Sequence, residues 1–267
     1  MAYYRKCMFG GILSGGITHF IVIPLDIVKC RMQANPGMYK SIGDGFKQIM
    51  AHQGFGGFLV GWFPTLVGYS SQGFAKFGFY EIFKDVYRKA AGKNEPKYRI
   101  LGFILSSACA EFIADFLLCP WEATKVRMQT ADVGTFTTNG ITAFNYIRTT
   151  EGLSGLYYGL KPLWGRQVPY TIVKFVAFEQ IVQLFYSKIF TKPKSEYKKS
   201  TQLLITFMSG YIAGIFSGIV SNPADTMVSI MNKTGQSPGE IFDDIGFGGL
   251  WKGLGTRILM VGTLTCM

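Results

Sequence analysis

The stretch GGITHFIVIPLDIVKCRMQ (residues 15–33) decides the fold. A glycine-rich apolar run carries His19, meets Pro24, and then presents Asp26 and Lys29 three residues apart. Proline inside a helix removes one backbone hydrogen bond and crowds the preceding turn, so it kinks the helix. Charged residues placed directly after such a kink mark the end of a hydrophobic segment. The arrangement returns as PWEATK (120–125) and PADTMV (223–228), with the prolines 96 and then 103 residues apart.

A second landmark keeps step with the first. GFGGFLVG (54–61), GLSGLYYG (152–159) and GFGGLWKG (246–253) each set their first and last glycines seven positions apart. The order never varies: apolar run, proline-x-acid, polar linker, glycine box, second apolar run. Three pairs of landmarks in register, at a period of about 100 residues, indicate internal triplication. The expected repeats are residues 1–95, 96–198 and 199–267, each carrying two hydrophobic spans.

Only 16% of the 267 residues are charged, and 48% are hydrophobic. A soluble domain carries about 25% charge, so the balance points to a membrane. Residues 7–25 hold only His19 as a possible charge, and Gln202–Ala224 holds no Asp, Glu, Lys, Arg or His. Both windows reach the ~20 residues that a helix needs to cross the hydrocarbon layer. Gly61–Ala75 is uncharged but short, and the stretch around Ile100–Ala123 is interrupted by Glu111, Asp115 and Glu122. A hydropathy scan is expected to miss spans of this kind. An acid at a helix centre costs roughly 2.5–3.5 kcal/mol on insertion scales, so such residues face a cavity or a bundle interior.

The net charge of +11 and the 23 phenylalanines would also suit a nucleic-acid binder. Such a protein has no use for two long uncharged windows, and none is expected here. The five cysteines are dispersed and odd in number, which favours free thiols over a disulfide framework or a metal site. The chain lacks a phosphate-binding glycine loop, a nucleophile elbow and clustered metal ligands, so no enzyme is expected. MAYYRKCMFGG at the start shows no secretory signal, which leaves any targeting internal or in a presequence already removed.

Two spans per unit give all three copies one orientation, and parallel repeats arrange about an axis along the membrane normal. The expected fold is an all-α membrane protein, a six-transmembrane-helix bundle with pseudo-threefold symmetry. Short amphipathic helices are predicted over SIGDGFKQIMAHQG and TNGITAFNYIRTTEG. Gly11 with Gly15, and Ala110 with Ala114, supply the four-residue small spacing that lets helices approach closely in lipid.

Pro24, Pro120 and Pro223 are expected to kink the odd-numbered helices at equivalent depths. Beyond them stand Asp26, Glu122 and Asp225, with Lys29 and Lys125 three residues on and Val228 in the third copy. Threefold symmetry brings the acid of one helix to the lysine of its neighbour. The expected latch at one end of the pore is Asp26–Lys125 with Asp225–Lys29. A local Asp26–Lys29 pair on one helix is the competing arrangement.

The tripled Pro-x-acid-x-x-Lys signature, the repeat length and the glycine boxes resemble the mitochondrial carrier family over essentially the whole chain. The segments THFIVIPLDIVKCRMQ, PTLVGYSSQGFAKFGFYEIFK, AEFIADFLLCPWEATKVRMQ, RQVPYTIVKFVAFE and SNPADTMVS are similar to its phosphate-transporting members in particular. The resemblance implies a multi-pass protein of the mitochondrial inner membrane. It implies inorganic phosphate carried together with a proton, or against hydroxide, by alternating access in a functional monomer. No cofactor is implied, but cardiolipin is, as a lipid bound near the glycine boxes. The resemblance also implies that the latch is a matrix gate, and that a cytoplasmic gate lies at Glu81 and Lys84 and, in the second copy, at Glu179. There Val182 stands where a lysine is expected. Gln53 replaces the family's acid before the first box, and about 14 residues follow Gly253, so helix six is expected to be incomplete.

A shift of 98 residues, from the first glycine box to the second, carries Lys76 onto Lys174 and Glu81 onto Glu179. Two midspan lysines suit a small anion rich in acceptors. Gln72, one turn before Lys76, can add a hydrogen bond. Five residues before the motif prolines lie His19 and Asp115, with Glu111 one turn from Asp115. Histidine ordinarily titrates near neutral pH, so these three are the expected proton carriers. The alternatives are a carrier of another small ion such as copper, held by His19 with Cys7 or Cys109, and a truncated carrier homologue that does not transport.

Overall fold

The structure, a computed structural model, describes residues 2–34, 38–92, 95–131, 134–189, 196–234, 238–251, 254 and 258. Among the described residues there is no strand. The helices are α1 (Ala2–Ala34), α2 (Ile42–Gln53), α3 (Trp62–Ala91), α4 (Glu95–Thr130), α5 (Gly140–Thr150), α6 (Gly152–Tyr157), α7 (Leu160–Leu184), α8 (Lys199–Thr234) and α9 (Pro238–Gly249). Residues 252–253, 255–257 and 259–267, where the sixth spanning helix is expected, lie outside the described residues.

Among the described residues, four helical stretches are long and apolar enough to cross a membrane: Ala2–Val28, Lys97–Thr130, Gly152–Ile189 and Lys199–Val220. The second of these contains Glu111 and Asp115, so its acids do not hide it as the sequence led us to expect. All of the stretch from Gly61 to Ala75 except Gly61 itself falls in α3, which is not among the four. Its 30 residues are ample in length, but Lys76, Glu81, Lys84 and Asp85 dilute its apolar character.

Burial is arranged for lipid. Along α4, Leu101, Leu105, Phe112 and Phe116 are exposed, while Ser107, Glu111 and Asp115 are fully buried. Along α8, Leu203, Phe207 and Phe216 are exposed, and Ser209 and Ser217 are buried. A helix that turns apolar side chains outward and polar ones inward gains from hydrocarbon and shields its costly groups in protein.

Two compact units form, residues 1–81 with 113–161 and residues 82–112 with 162–267. In the first, α1 and α3 meet through glycine. A methyl group added at Gly11 or Gly73 would strike the other's backbone, and one at Gly15 would strike the Tyr69 carbonyl. Gly68 fits against Leu118 and Trp121 of α4, and Gly45 of α2 against Val28 and Tyr39. A buried cluster of Ile23, Ile27, Val28, Tyr39, Ile49 and Phe58 joins the end of α1 to α2 and to the 3-10 turn Phe55–Leu59. In the second unit Gly102 accepts the ring of Tyr87, and Phe112 packs edge-on against Trp164 at 5.0 Å.

The short amphipathic helices form where the sequence predicts them. Ser41 caps α2 by accepting from the Asp44 N–H at 3.2 Å, and the Asp44 carboxylate reaches back past the cap to accept from the Lys40 N–H at 2.9 Å. Asn139 caps α5 through the N–H groups of Ile141 and Thr142.

Pro24, Pro120 and Pro223 lie inside α1, α4 and α8, and each helix runs on through its proline. The expected kinks are therefore not breaks. In α4 the backbone leaves helical geometry only at Tyr98 (φ −112°, ψ 22°), far from Pro120.

One local arrangement occurs three times. The first glycine of every box has a left-handed backbone: Gly54 at φ 62°, Gly152 at 70° and Gly246 at 62°. Only glycine adopts that conformation without strain, which explains why this position is glycine in all three. The fifth box residue is then associated with the residue before the motif proline, by a hydrogen bond in two copies and within one buried cluster in the first. Phe58 shares a buried cluster with Ile23, the Cys119 thiol donates to the Leu156 carbonyl at 3.5 Å, and the Asn222 amide donates to the Leu250 carbonyl at 2.8 Å.

Candidate functional site

Lys125 organises the polar interior of the first unit. It is 3% exposed, and its Nζ donates to Asp26 Oδ2 at 2.9 Å. Glu122, three residues earlier on the same helix, lies 3.7 Å away, and the Tyr69 ring lies beneath the ammonium at 5.1 Å to its centroid. Two acids and a π face compensate one buried cation, which a single exposed acid would do poorly. The side chains of Lys29 and Asp225 lie outside the described residues, as does the expected Asp225–Lys29 pair.

His19 stacks on Tyr69, with ring centroids 3.7 Å apart and planes within 10°. Its Nδ1 lies 2.9 Å from the Gly15 carbonyl oxygen. A carbonyl only accepts, so Nδ1 carries the hydrogen and Nε2 keeps the lone pair. Asp115, the repeat equivalent of His19, is fully buried. It accepts from the Gln72 amide at 3.2 Å, so Gln72, expected to bind substrate, is held by one of the expected proton carriers. Lys76, one turn along α3, is half-buried.

The second unit holds most of the remaining predicted residues. Lys84 donates to Glu179 at 2.9 Å, with both side chains less than one-fifth exposed. Glu81, in the first unit, accepts from the Tyr3 hydroxyl at 3.2 Å. Lys174 is half-buried, with its Nζ 5.7 Å from the centroid of the Tyr170 ring. Glu111 is fully buried. Cys109 is exposed on the same side of α4 as Leu105 and Phe112, away from the buried acids.

Sequence reading missed a pair of arginines. Arg31, two residues past the motif lysine, is 5% exposed. It donates to the Gln129 carbonyl and to Gln53 Oε1, both at 3.1 Å. Gln129 in turn donates to the Val60 carbonyl at 3.3 Å, which ties α1, α4 and the first glycine box together. Arg127 stands at the matching place in the second copy and pairs with Glu151 at 2.9 Å. Gln53 and Glu151 each precede the first glycine of their box, so the repeat contained the signal. The third copy has Ile230 and Ile245 at those two places. Replacing Arg31 by methionine strands a buried carbonyl and an amide, at a cost of about 1–3 kcal/mol. The same change at exposed Arg127 is expected to cost less than about 1 kcal/mol. Thermal unfolding of the two variants in detergent measures the difference.

A family model described as mitochondrial carrier protein matches residues 2–91 and 97–189. The chain is 51% identical to the mitochondrial phosphate carrier protein of Caenorhabditis elegans, over 99% of this chain and 78% of that protein. It is 51% identical to mitochondrial phosphate carrier protein 3 of Arabidopsis thaliana, over 99% and 71% respectively. With solute carrier family 25 member 3 of Bos taurus it shares 48% identity, over 99% and 73%. On these matches, and on the tripled motif and glycine boxes that carry them, this chain belongs to the mitochondrial carrier family.

Proposed function

We propose that this protein carries inorganic phosphate across the mitochondrial inner membrane together with a proton, by alternating access. The carrying observation is near-half identity, over 99% of the chain, to proteins named as phosphate carriers. The architecture in this reading is a six-helix bundle of three repeats, residues 1–95, 96–198 and 199–267. It is supported by the left-handed glycine that opens each box and by the recurring association of the fifth box residue with the residue before each motif proline. Cardiolipin, as bound lipid at the glycine boxes, and a monomeric working state belong to the same reading.

In this mechanism Lys76 and Lys174, at equivalent positions in two repeats, neutralise phosphate, with Gln72 beside Lys76. His19, Glu111 and Asp115 carry the proton. Asp26, Glu122 and Lys125, with Lys29 and Asp225, form the matrix gate. Glu81, Lys84 and Glu179 form the cytoplasmic gate. Phosphate that draws the lysines inward weakens one gate while the other stays paired, which is the requirement for exposing the site to one side at a time.

Uptake of labelled phosphate by proteoliposomes, with and without a pH gradient, tests the reading. Lys76→Ala and Lys174→Ala are each expected to lower uptake at least about tenfold, the cost of a lost charge-assisted contact. Wild-type uptake by Lys76→Ala would remove that lysine from the site. A folded wild-type protein that moves no phosphate would overturn the assignment itself.

A further inference from the structure

We infer that Tyr69 couples protonation of His19 to the Lys125–Asp26 latch. The inference rests on the proton-coupled reading above and deepens it, by giving the proton a route to the gate. Three observations carry it, all within the first unit. The His19 and Tyr69 rings lie face to face at 3.7 Å. Lys125 Nζ sits over the same tyrosine ring at 5.1 Å. That Nζ is also the donor to Asp26.

A tyrosine ring carries negative charge on its faces and attracts cations. Neutral imidazole stacks on it as an ordinary aromatic. Once His19 gains a proton at Nε2, the imidazolium becomes a second cation against the ring that already holds Lys125. The two compete for one π system and repel each other, so Lys125 is loosened from its place beside Asp26. Besides Tyr69 on α3, the charged groups acting on His19 are Lys125 and Glu122 on α4 and Asp26 on its own helix. Thr18 Oγ1, on that helix too, lies 3.4 Å from its Nδ1.

The proton count is simple. One proton joins the Nε2 lone pair while the latch loosens, and the same proton leaves when the latch closes. Coupling is reciprocal: when the latch opens with phosphate bound, Lys125 leaves the ring and makes room for the imidazolium charge. Phosphate and proton then favour the same open state, as symport requires.

The test uses Tyr69→Phe, which keeps the ring, and Tyr69→Leu, which keeps bulk but removes the π face. Exchange of phosphate for phosphate moves no net proton, so it serves in each variant as the reference against which gradient-driven uptake is read. Uptake driven by a pH gradient should fall at least about tenfold in Tyr69→Leu, with its pH profile shifted, and be retained in Tyr69→Phe. The chain has two histidines, so NMR of labelled imidazole, with His52→Gln for assignment, reads His19 directly. Its proton affinity should change about threefold or more in Tyr69→Leu and in Lys125→Met, and stay put in Tyr69→Phe. Unchanged His19 affinity and unchanged pH dependence in Tyr69→Leu would overturn the coupling. Should that variant fail to fold, an unchanged His19 affinity in Lys125→Met overturns it equally. Absence of exchange by the wild-type protein would instead count against phosphate as cargo, and the imidazole measurement would still decide the link through Tyr69.

Discussion

Substituting methionine for Lys125 should reduce gradient-driven phosphate uptake about a hundredfold and lower thermal stability at the same time. Methionine keeps much of the stem and removes only the charge. Asp26 at 2.9 Å and Glu122 at 3.7 Å would then lose the ammonium that now lies between them. Removing one partner of a buried pair costs about 3–5 kcal/mol. Here the two acids keep about a quarter of their side-chain surface exposed, which brings the expected loss nearer 2–3 kcal/mol. A gate biased open by that amount shifts its equilibrium by roughly a hundredfold. Proteoliposome uptake reads the first effect and melting in detergent the second. The double variant Asp26→Asn with Lys125→Met should recover part of the stability, because it removes one stranded acid, and the double-mutant cycle isolates the pair. Wild-type uptake by Lys125→Met would show that the ion pair is not a gate.

Valine at position 73 is expected to be the most damaging single change to the fold. The Gly73 carbonyl meets Gly11 and the Gly11 carbonyl meets Gly73, so the new side chain would collide with backbone, which has no rotamer in which to escape. Overpacking typically costs 1–3 kcal/mol where side chains can shift. With backbone on both sides the expected cost is more than about 3 kcal/mol, read as loss of folded protein in detergent. Gly10 gives the control. An added methyl there meets nothing within 4 Å, so Gly10→Ala should be neutral, or stabilising by up to about 1 kcal/mol through helix propensity. Equal damage at both positions would mean that close approach does not explain the glycines of α1.

The ion pair from Asp26 to Lys125 was legible in the sequence because triplication supplies geometry. Once three copies share an orientation, an acid in one copy and a base in another have few places to meet. Repetition could not specify contacts made by one copy alone. The stacking of His19 on Tyr69 depends on how α1 and α3 face each other, and no regular spacing encodes that. Sequence alone points to Gln72 as a ligand for substrate because it shares a helix face with Lys76. Its bond to Asp115 comes from α4, 43 residues away, which the pattern of α3 cannot reveal. Arg31 was overlooked for a chemical reason. A buried arginine suggests a carboxylate partner, and this one is held by a carbonyl and a neutral amide.

That difference between the copies has a consequence for ionic conditions. Arg127 and Glu151 leave 55% and 39% of their side chains in solvent, where counterions gather and weaken attraction as salt rises. Arg31 reaches its neutral partners from a 5% exposed position, beyond the reach of that atmosphere. Adding salt would slacken the brace at the second glycine box and leave the one at the first intact, so two positions that match in sequence would respond to electrolyte unequally.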